Sequence, residues 1–273
     1  MDSLTLAIPT RNRADLWKDG RVLGSILDQT DPDFELIVVD DDSTDETLAV
    51  LRPALKHCPQ ARLFTCNPHG NCTTRASVIP DNVAMRHAGG AIFAHSDDDV
   101  ILDKNFVAQT KRWFRDNGPS VVYGALVFVD LANPDKVLME DPRFRHLGKT
   151  ECDVRLQPEW KGERGAVYAT LRDVLRFVGG HDLRFAEARG ADTRLGHRLR
   201  QVLPTWFSAQ PGLIGQHLGY CYFQKCLLEA RVEEMFATRK SPFTPATVAT
   251  LVANGGLGFW RDGAQRLATE LVL

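Results

Sequence analysis

Cysteine pairs at metal-binding spacing are missing from this chain. Its six cysteines, at 58, 66, 72, 152, 221 and 226, include no C-x-x-C, which argues against a structural zinc site. HxxE-type zinc spacing is missing as well. No apolar run approaches the roughly 20 residues needed to span a bilayer. The N-terminal MDSLTLAIPTRNR starts a strand at once, with no charged-then-apolar leader. Reduced thiols in a cytoplasmic protein are therefore expected. An excess of either charge is also lacking. The 33 Lys+Arg against 35 Asp+Glu leave a formal charge of −2, so no general nucleic-acid footprint exists, although a local basic face is compatible. Hydrophobic residues at 44% and charged residues at 25% exclude a disordered or low-complexity chain. Three glycine signatures are absent: GxGxxG after the first strand, a Walker P-loop and a GxSxG elbow. A Rossmann dinucleotide enzyme and a P-loop NTPase are disfavoured accordingly.

What is present fits one large α/β domain with a possible appendage in 273 residues. Leu4 to Ile8, closed by Pro9, reads as a buried strand. Apolar positions at Leu16, Leu23, Ile26 and Leu27 lie near helical spacing over 14–28. Phe34 to Val39 is a second strand, and Asp42 or Ser43 can cap a helix running to about Leu55. Arg62 to Thr65 reads as a strand, 77–88 as a helix, Ala91 to Ala94 as a strand, Asn105 to Arg115 as a helix and Val121 to Val129 as a strand. This alternation argues for a mostly parallel sheet with helices on both faces. From about residue 206 the pattern turns helical, over Cys221 to Met235, 244–253 and 259–272. A domain over 1–205 and a C-terminal helical extension over 206–273 are expected.

In such sheets ligands bind outside the carboxyl ends of the strands. Three polar clusters sit at those ends and should converge: Pro9-Thr10-Arg11-Asn12-Arg13, Asp40-Asp41-Asp42 and Ser96-Asp97-Asp98-Asp99. Consecutive carboxylates at one strand end repel, and keeping all of them ionised needs a compensating charge. A divalent cation supplies it, and hard carboxylate oxygens suit Mg²⁺ or Mn²⁺. Mg²⁺ commonly completes its shell with phosphate and water, which points to a phosphate-bearing substrate. A solvated turn with a helix cap is the other reading of the same run.

Taken in order, LAIPTRNR, SILDQTDPDFELIVVDDDSTDET and AGGAIFAHSDDDVILDKNF resemble the inverting family 2 glycosyltransferases of the GT-A fold. The likeness is densest over the first 105 residues and continues more weakly to about residue 200. It implies a Rossmann-like, mostly parallel sheet and a nucleotide-sugar donor, UDP-linked in most such proteins. The resemblance implies that Thr10, Arg11 and Asp41 hold the nucleotide, with Thr10 and Asp41 at the base. It puts Arg75, in TTRASVIPDNVA, near the diphosphate and Asp97 on the ribose side. Asp98 matches the metal-bound carboxylate. Three consecutive Asp let the register slip by one, so Asp99 stands beside it, and Ser96 replaces the family's first Asp. Asp192, in RGADTRLGHRLR, resembles the general base, with Ala191 where a Glu is usual. His217, in GQHLG, resembles a late metal or phosphate ligand of some relatives; a satisfied surface or core His is its plainer reading. Polysaccharide, lipid-linked sugar, protein and modified nucleic acid are all compatible acceptors.

The residue types suit that chemistry. Breaking a sugar–phosphate bond builds charge on the leaving nucleotide, which a cation on Asp98 and an arginine such as Arg75 stabilise. A carboxylate such as Asp192 can take the acceptor's proton. Asp192 can equally cap the helix 193–202. Arg143, Arg145, His146, Lys149 and Trp160 could line an acceptor face, and Trp160 could as well be a core residue. Arg194, Arg198 and Arg200 read as a solvated helix face or as contacts to a phosphate-bearing acceptor.

Other classes leave a trace. Val38 to Thr44 fits the hhDxDxT of haloacid-dehalogenase phosphatases, with Asp40 as nucleophile, but a full strand and helix precede it and Lys56 alone could be the expected lysine. A catalytically inactive nucleotide-sugar binder is compatible with Ser96 and Ala191. A nucleotidyltransferase would need glycines that PTRNR lacks.

Overall fold

The structure is a computed structural model that describes residues 2–66, 78–133, 135–140, 154–155, 167–181, 191–208, 214–218 and 268–273. The strands in chain order are β1 (Leu4–Thr10), β2 (Glu35–Asp40), β3 (Ala61–Cys66), β4 (Ile92–Ser96), β5 (Val100–Leu102), β6 (Val121–Val129), β7 (Val137–Glu140), β8 (Val154–Arg155), β9 (Val167–Leu171), β10 (Thr205–Ser208), β11 (Ile214–Leu218) and β12 (Ala268–Leu271). The helices α1 (Ala14–Asp19), α2 (Arg21–Leu27), α3 (Thr47–Leu55), α4 (Val78–His87) and α5 (Phe106–Asn117) are followed by Arg172–Val178 and Ala191–Val202.

The main path through the sheet runs β12-β3-β2-β1-β4-β9-β6-β10-β8. Strands β1 to β4 are mutually parallel where they pair, and β9 enters antiparallel between β4 and β6. Strand β6 serves two sets of partners. Val121 to Gly124 pair with β10, while Ala125 to Val129 pair with β11, which in turn pairs antiparallel with β5.

Strands buried on both faces need apolar residues at every position, and that is how these read. Leu4, Leu6, Ile8, Leu36 and Val38 fall in one core with Trp17, Ile26, Leu51 and Phe114 from α1, α2, α3 and α5. Ala7, Ile37, Val39 and Phe93 face the other way, onto Val83 and Met85 of α4 and onto Leu175, Leu195 and Leu199. Pro9 is tolerated in a central strand because β4 pairs with β1 only as far as Ala7. Gly90 at the entry to β4 has a packing cause: a Cβ there would lie 2.5 Å from the Thr5 backbone nitrogen.

Three expected elements are corrected. The helical stretch over 14–28 is two helices, because Gly20 takes φ +79 and turns the chain between them. The helix expected from Asp42 or Ser43 begins at Thr47, since Ser43, Thr44 and Asp45 are bonded to residues 12–14 instead. Within the expected helical extension, 206–208, 214–218 and 268–271 are strands. The last of these replaces the end of the helix expected over 259–272, pairing antiparallel with β3. The helices expected at Cys221 to Met235 and 244–253 lie outside the described residues. Among the described residues, no helix is long and apolar enough to cross a membrane.

Candidate active site

Pairing alone brings the three polar clusters together. Thr10 lies beside Asp40 in the β1–β2 register, and Ala7 beside His95 in the β1–β4 register, so the loops after β1, β2 and β4 open on one sheet end. The first two loops interlock. Asn12 and Asp42 both take left-handed backbone, with φ 51 and 55. The Asn12 N–H donates to Ser43 Oγ (2.9 Å), and the Thr44 N–H donates to Asn12 Oδ1 (2.8 Å). Asp45 accepts from the N–H groups of Ala14 (3.1 Å) and Thr47 (2.9 Å), joining the starts of α1 and α3.

Asp40 is fully buried, accepting at Oδ2 from the Ser43 N–H (3.1 Å) and the Thr65 hydroxyl (3.3 Å). Burial, partly offset by Ser43 and Thr65, raises its pKa. A closed pocket of this kind suits a structural carboxyl better than a phosphatase nucleophile. Asp41 is also buried. Its N–H donates to the Thr10 carbonyl (2.8 Å), and its Oδ2 lies 3.6 Å from Arg11 Nη1.

Asp98 is the best-supported carboxylate of the acidic run. The Trp17 indole donates to the Thr10 hydroxyl (2.9 Å), which donates to Asp98 Oδ2 (2.6 Å). Arg13 stands at looser range, with Nε 3.4 Å from Asp98 Oδ1 and Nη2 3.6 Å from Asp99 Oδ2. Burial first, then the neighbouring Asp99 charge, push the Asp98 carboxyl up to about 7 against the pull of Thr10 and Arg13. Asp98 is thus a buried carboxylate with a like charge beside it and Arg13 only at looser range, and hard oxygen donors in that position fit Mg²⁺ or Mn²⁺. Among the described residues no three His, Cys, Asp or Glu side chains form a closed metal cage. The donor set suits a cation that draws the rest of its shell from water and substrate.

Beneath the acidic run lies a second set of groups. Asp97, with its side chain 38% exposed, meets His95 through Oδ1 and Nε2 at 3.2 Å. The other His95 nitrogen, Nδ1, is 3.0 Å from Asp81 Oδ1, and Asp81 Oδ2 is 3.4 Å from His181 Nε2. His95 and Asp81 are each 2% exposed. Burial alone would lower the His95 pKa, but the two carboxylates, Asp81 and then Asp97, carry it to about 10.

The remaining candidates are placed by backbone. Strand β5 leaves directly after Asp99, and its Val100 pairs with His217 of β11. Asp192 is the second residue of the helix Ala191–Val202. The side chains of both lie outside the described residues, as do Arg75, Arg143, Arg145, His146, Lys149 and Trp160. Arg198 is not on a solvated face: it is buried and donates to the Val178 carbonyl (2.7 Å) and to the Gly180 carbonyl, closing the C-terminal end of Arg172–Val178. Sequence reasoning put Arg13 in a converging cluster without giving it a role, and did not single out Trp17, Asp81, His95 or His181; a histidine inside the apolar run AIFAHS was the visible signal for the last group.

The family described as Glycosyl transferase family 2 matches residues 5–179. Among solved structures, a mannosyltransferase of Pyrobaculum calidifontis in complex with GDP-Man and Mn²⁺ aligns with TM-score 0.59 and 20% identity, covering 91% of this chain and 68% of its own. TarS of S. aureus, residues 1–349 in complex with UDP-GlcNAc, aligns with TM-score 0.62 and 14% identity, covering 92% of this chain and 71% of its own. No curated protein matches the sequence.

Proposed function

Because the chain belongs to glycosyl transferase family 2, and is a glycosyltransferase of GT-A fold, we propose that it moves a sugar from a UDP-sugar to an acceptor hydroxyl in one inverting displacement. The observation that carries the reading is the convergence of Thr10, Asp41 and Asp97 to Asp99 on one sheet end, with buried Asp98 beside a like charge. The GDP-Man and Mn²⁺ bound by one solved neighbour and the UDP-GlcNAc bound by the other support the donor class and a metal.

In this reading Asp41 and Arg11 hold the nucleotide base. Thr10 acts through Asp41, whose N–H its carbonyl accepts, since its hydroxyl already serves Asp98. Asp97 takes the ribose hydroxyls, and Arg75 binds the diphosphate. Asp98 and Asp99, with His217 from the strand beside them, would hold Mn²⁺ or Mg²⁺, which would supply Lewis-acid stabilisation of the leaving diphosphate. Asp192 takes the proton of the acceptor hydroxyl as its oxygen bonds to the anomeric carbon and the bond to the donor phosphate breaks. Attack from the face opposite the leaving group inverts that carbon.

Calorimetry with UDP tests the site without knowledge of the acceptor. Binding is expected to be tighter with Mn²⁺ or Mg²⁺ than with chelator, because a cation held at Asp98 and Asp99 would offset the repulsion between those carboxylates and the diphosphate. Equal affinity in the two conditions would remove Asp98 and Asp99 from the metal site. A panel of nucleotide sugars with Mn²⁺, scored for slow hydrolysis, identifies the donor.

A further inference from the structure

Strand β4 runs Ile92-Phe93-Ala94 and then buries a histidine. His95 pairs with Ala7 of β1 on one side and Tyr168 of β9 on the other, and its ring stacks on Tyr168 with centroids 5.0 Å apart and planes at 18°. Both ring nitrogens meet carboxylates, Asp81 from the first turn of α4 and Asp97 from the site. Only Nε2, towards Asp97, stands in hydrogen-bond geometry; Nδ1 faces Asp81 as an ion pair. Asp81 has a second partner in His181, and its neighbour Asn82 exchanges two hydrogen bonds of 2.8 Å with the His181 backbone. A buried ion pair is poor core material compared with apolar side chains of the same volume. The Asp97 side chain is 38% exposed, against 2% for His95 and Asp81.

We propose that His95 is a positioning residue of the donor site, held by Asp81, and that it fixes Asp97 by one oxygen so that the other is presented to the ribose hydroxyls. The inference rests on the donor reading above. A carboxylate already held in one rotamer loses less freedom when the nucleotide arrives, so binding is tighter. Asp81 acts through His95, because it is buried and touches the ring.

The coupling is read by a mutant cycle on nucleotide affinity, with UDP and GDP in excess Mg²⁺ as probes. His95→Leu and Asp97→Ala should each weaken binding by about tenfold or more, the scale of a hydrogen bond to a charged group. The double variant should be no weaker than Asp97→Ala alone. Asp81→Asn should weaken binding too, and should likewise have no further effect once Asp97 is alanine. With saturating donor, turnover of His95→Leu should stay within a few-fold of wild type, so the effect falls on donor KM. Multiplicative losses in the double variant, or lost turnover at unchanged affinity, would overturn the proposal. Should His95→Leu not fold, imidazole ¹⁵N resonances of the unaltered chain decide the matter. His95 should shift on adding UDP and Mg²⁺ in the wild type and not in Asp97→Ala; no shift in the wild type overturns the coupling. A wild-type chain that binds neither UDP nor GDP overturns the donor reading itself, which separates that failure from this one.

Discussion

Asp41 and Asp98 follow β2 and β4, the two strands that flank β1, yet have different partners, and substitution should separate them. Asp98 receives the Thr10 hydroxyl and stands before Arg13, whereas Asp41 faces Arg11. Asp98→Ala is expected to abolish the gain in UDP affinity that metal confers. Asp41→Ala is expected to weaken UDP while that gain survives, and calorimetry with and without chelator reads both. Asp192→Asn tests the base. Asp192 lies inside the first turn of Ala191–Val202, not at the cap of a helix starting at 193; Asn there loses only a charge near the helix N-terminus, so a purely structural residue would leave activity nearly unchanged. As the base, its loss should lower turnover by roughly 10²–10⁴-fold while UDP affinity and melting temperature hold. The acidic clusters were legible because charge at the end of an apolar strand has a known address in an α/β sheet. Arg13 and Trp17 were not, because their roles are contacts to Asp98 and Thr10 that only folding creates.

Between elements, the Asp81–His95 pair ties α4 to β4, and its pH dependence has a definite sign. The groups facing His95 are Asp81 from α4, Asp97 beyond the end of β4 and the Tyr168 ring of β9, with His181 behind Asp81. The folded pKa, at about 10, is above the ordinary 6.5. The folded state therefore binds the proton more tightly, and this contribution is complete below pH 6.5 and lost as pH rises towards 10. Melting temperature should fall over that window, and more steeply in wild type than in Asp81→Asn. Elements with strong local signals were legible, such as β6, found over the same residues as expected. Gly20 broke the pattern of 14–28 because one left-handed residue outweighs helical spacing on both sides. The strand at 268–271 was not legible because Ala-Thr-Glu-Leu is too short and mixed to show a period of its own, and the open edge of β3 decides its pairing.

Across the whole molecule, alternating strands and helices were enough to anticipate the parallel half from β1 to β4. The antiparallel insertion of β9 and the division of β6 between two sets of partners depend on pairings remote in sequence. The most remote joins β3 to β12, where Arg62 makes two hydrogen bonds to Glu270, at 2.7 and 3.0 Å. Both side chains are partly exposed, so Glu270→Gln should cost under about 1 kcal/mol of global stability. Its sharper effect is local: amide exchange along 268–271 should quicken while the β1–β2 amides keep their protection.

That pairing also sets a timetable. Cys66 and Ala268 face each other across the sheet edge although about 200 residues separate them. A ribosome adding roughly 5–20 residues each second needs about 10–40 s to cover that distance. During synthesis β2 can already line up with β3, yet the outer edge of β3 waits for its strand, offering unpaired backbone groups to any passing chain. The nascent protein is most exposed to misassembly at this edge, on the side of the sheet away from β4.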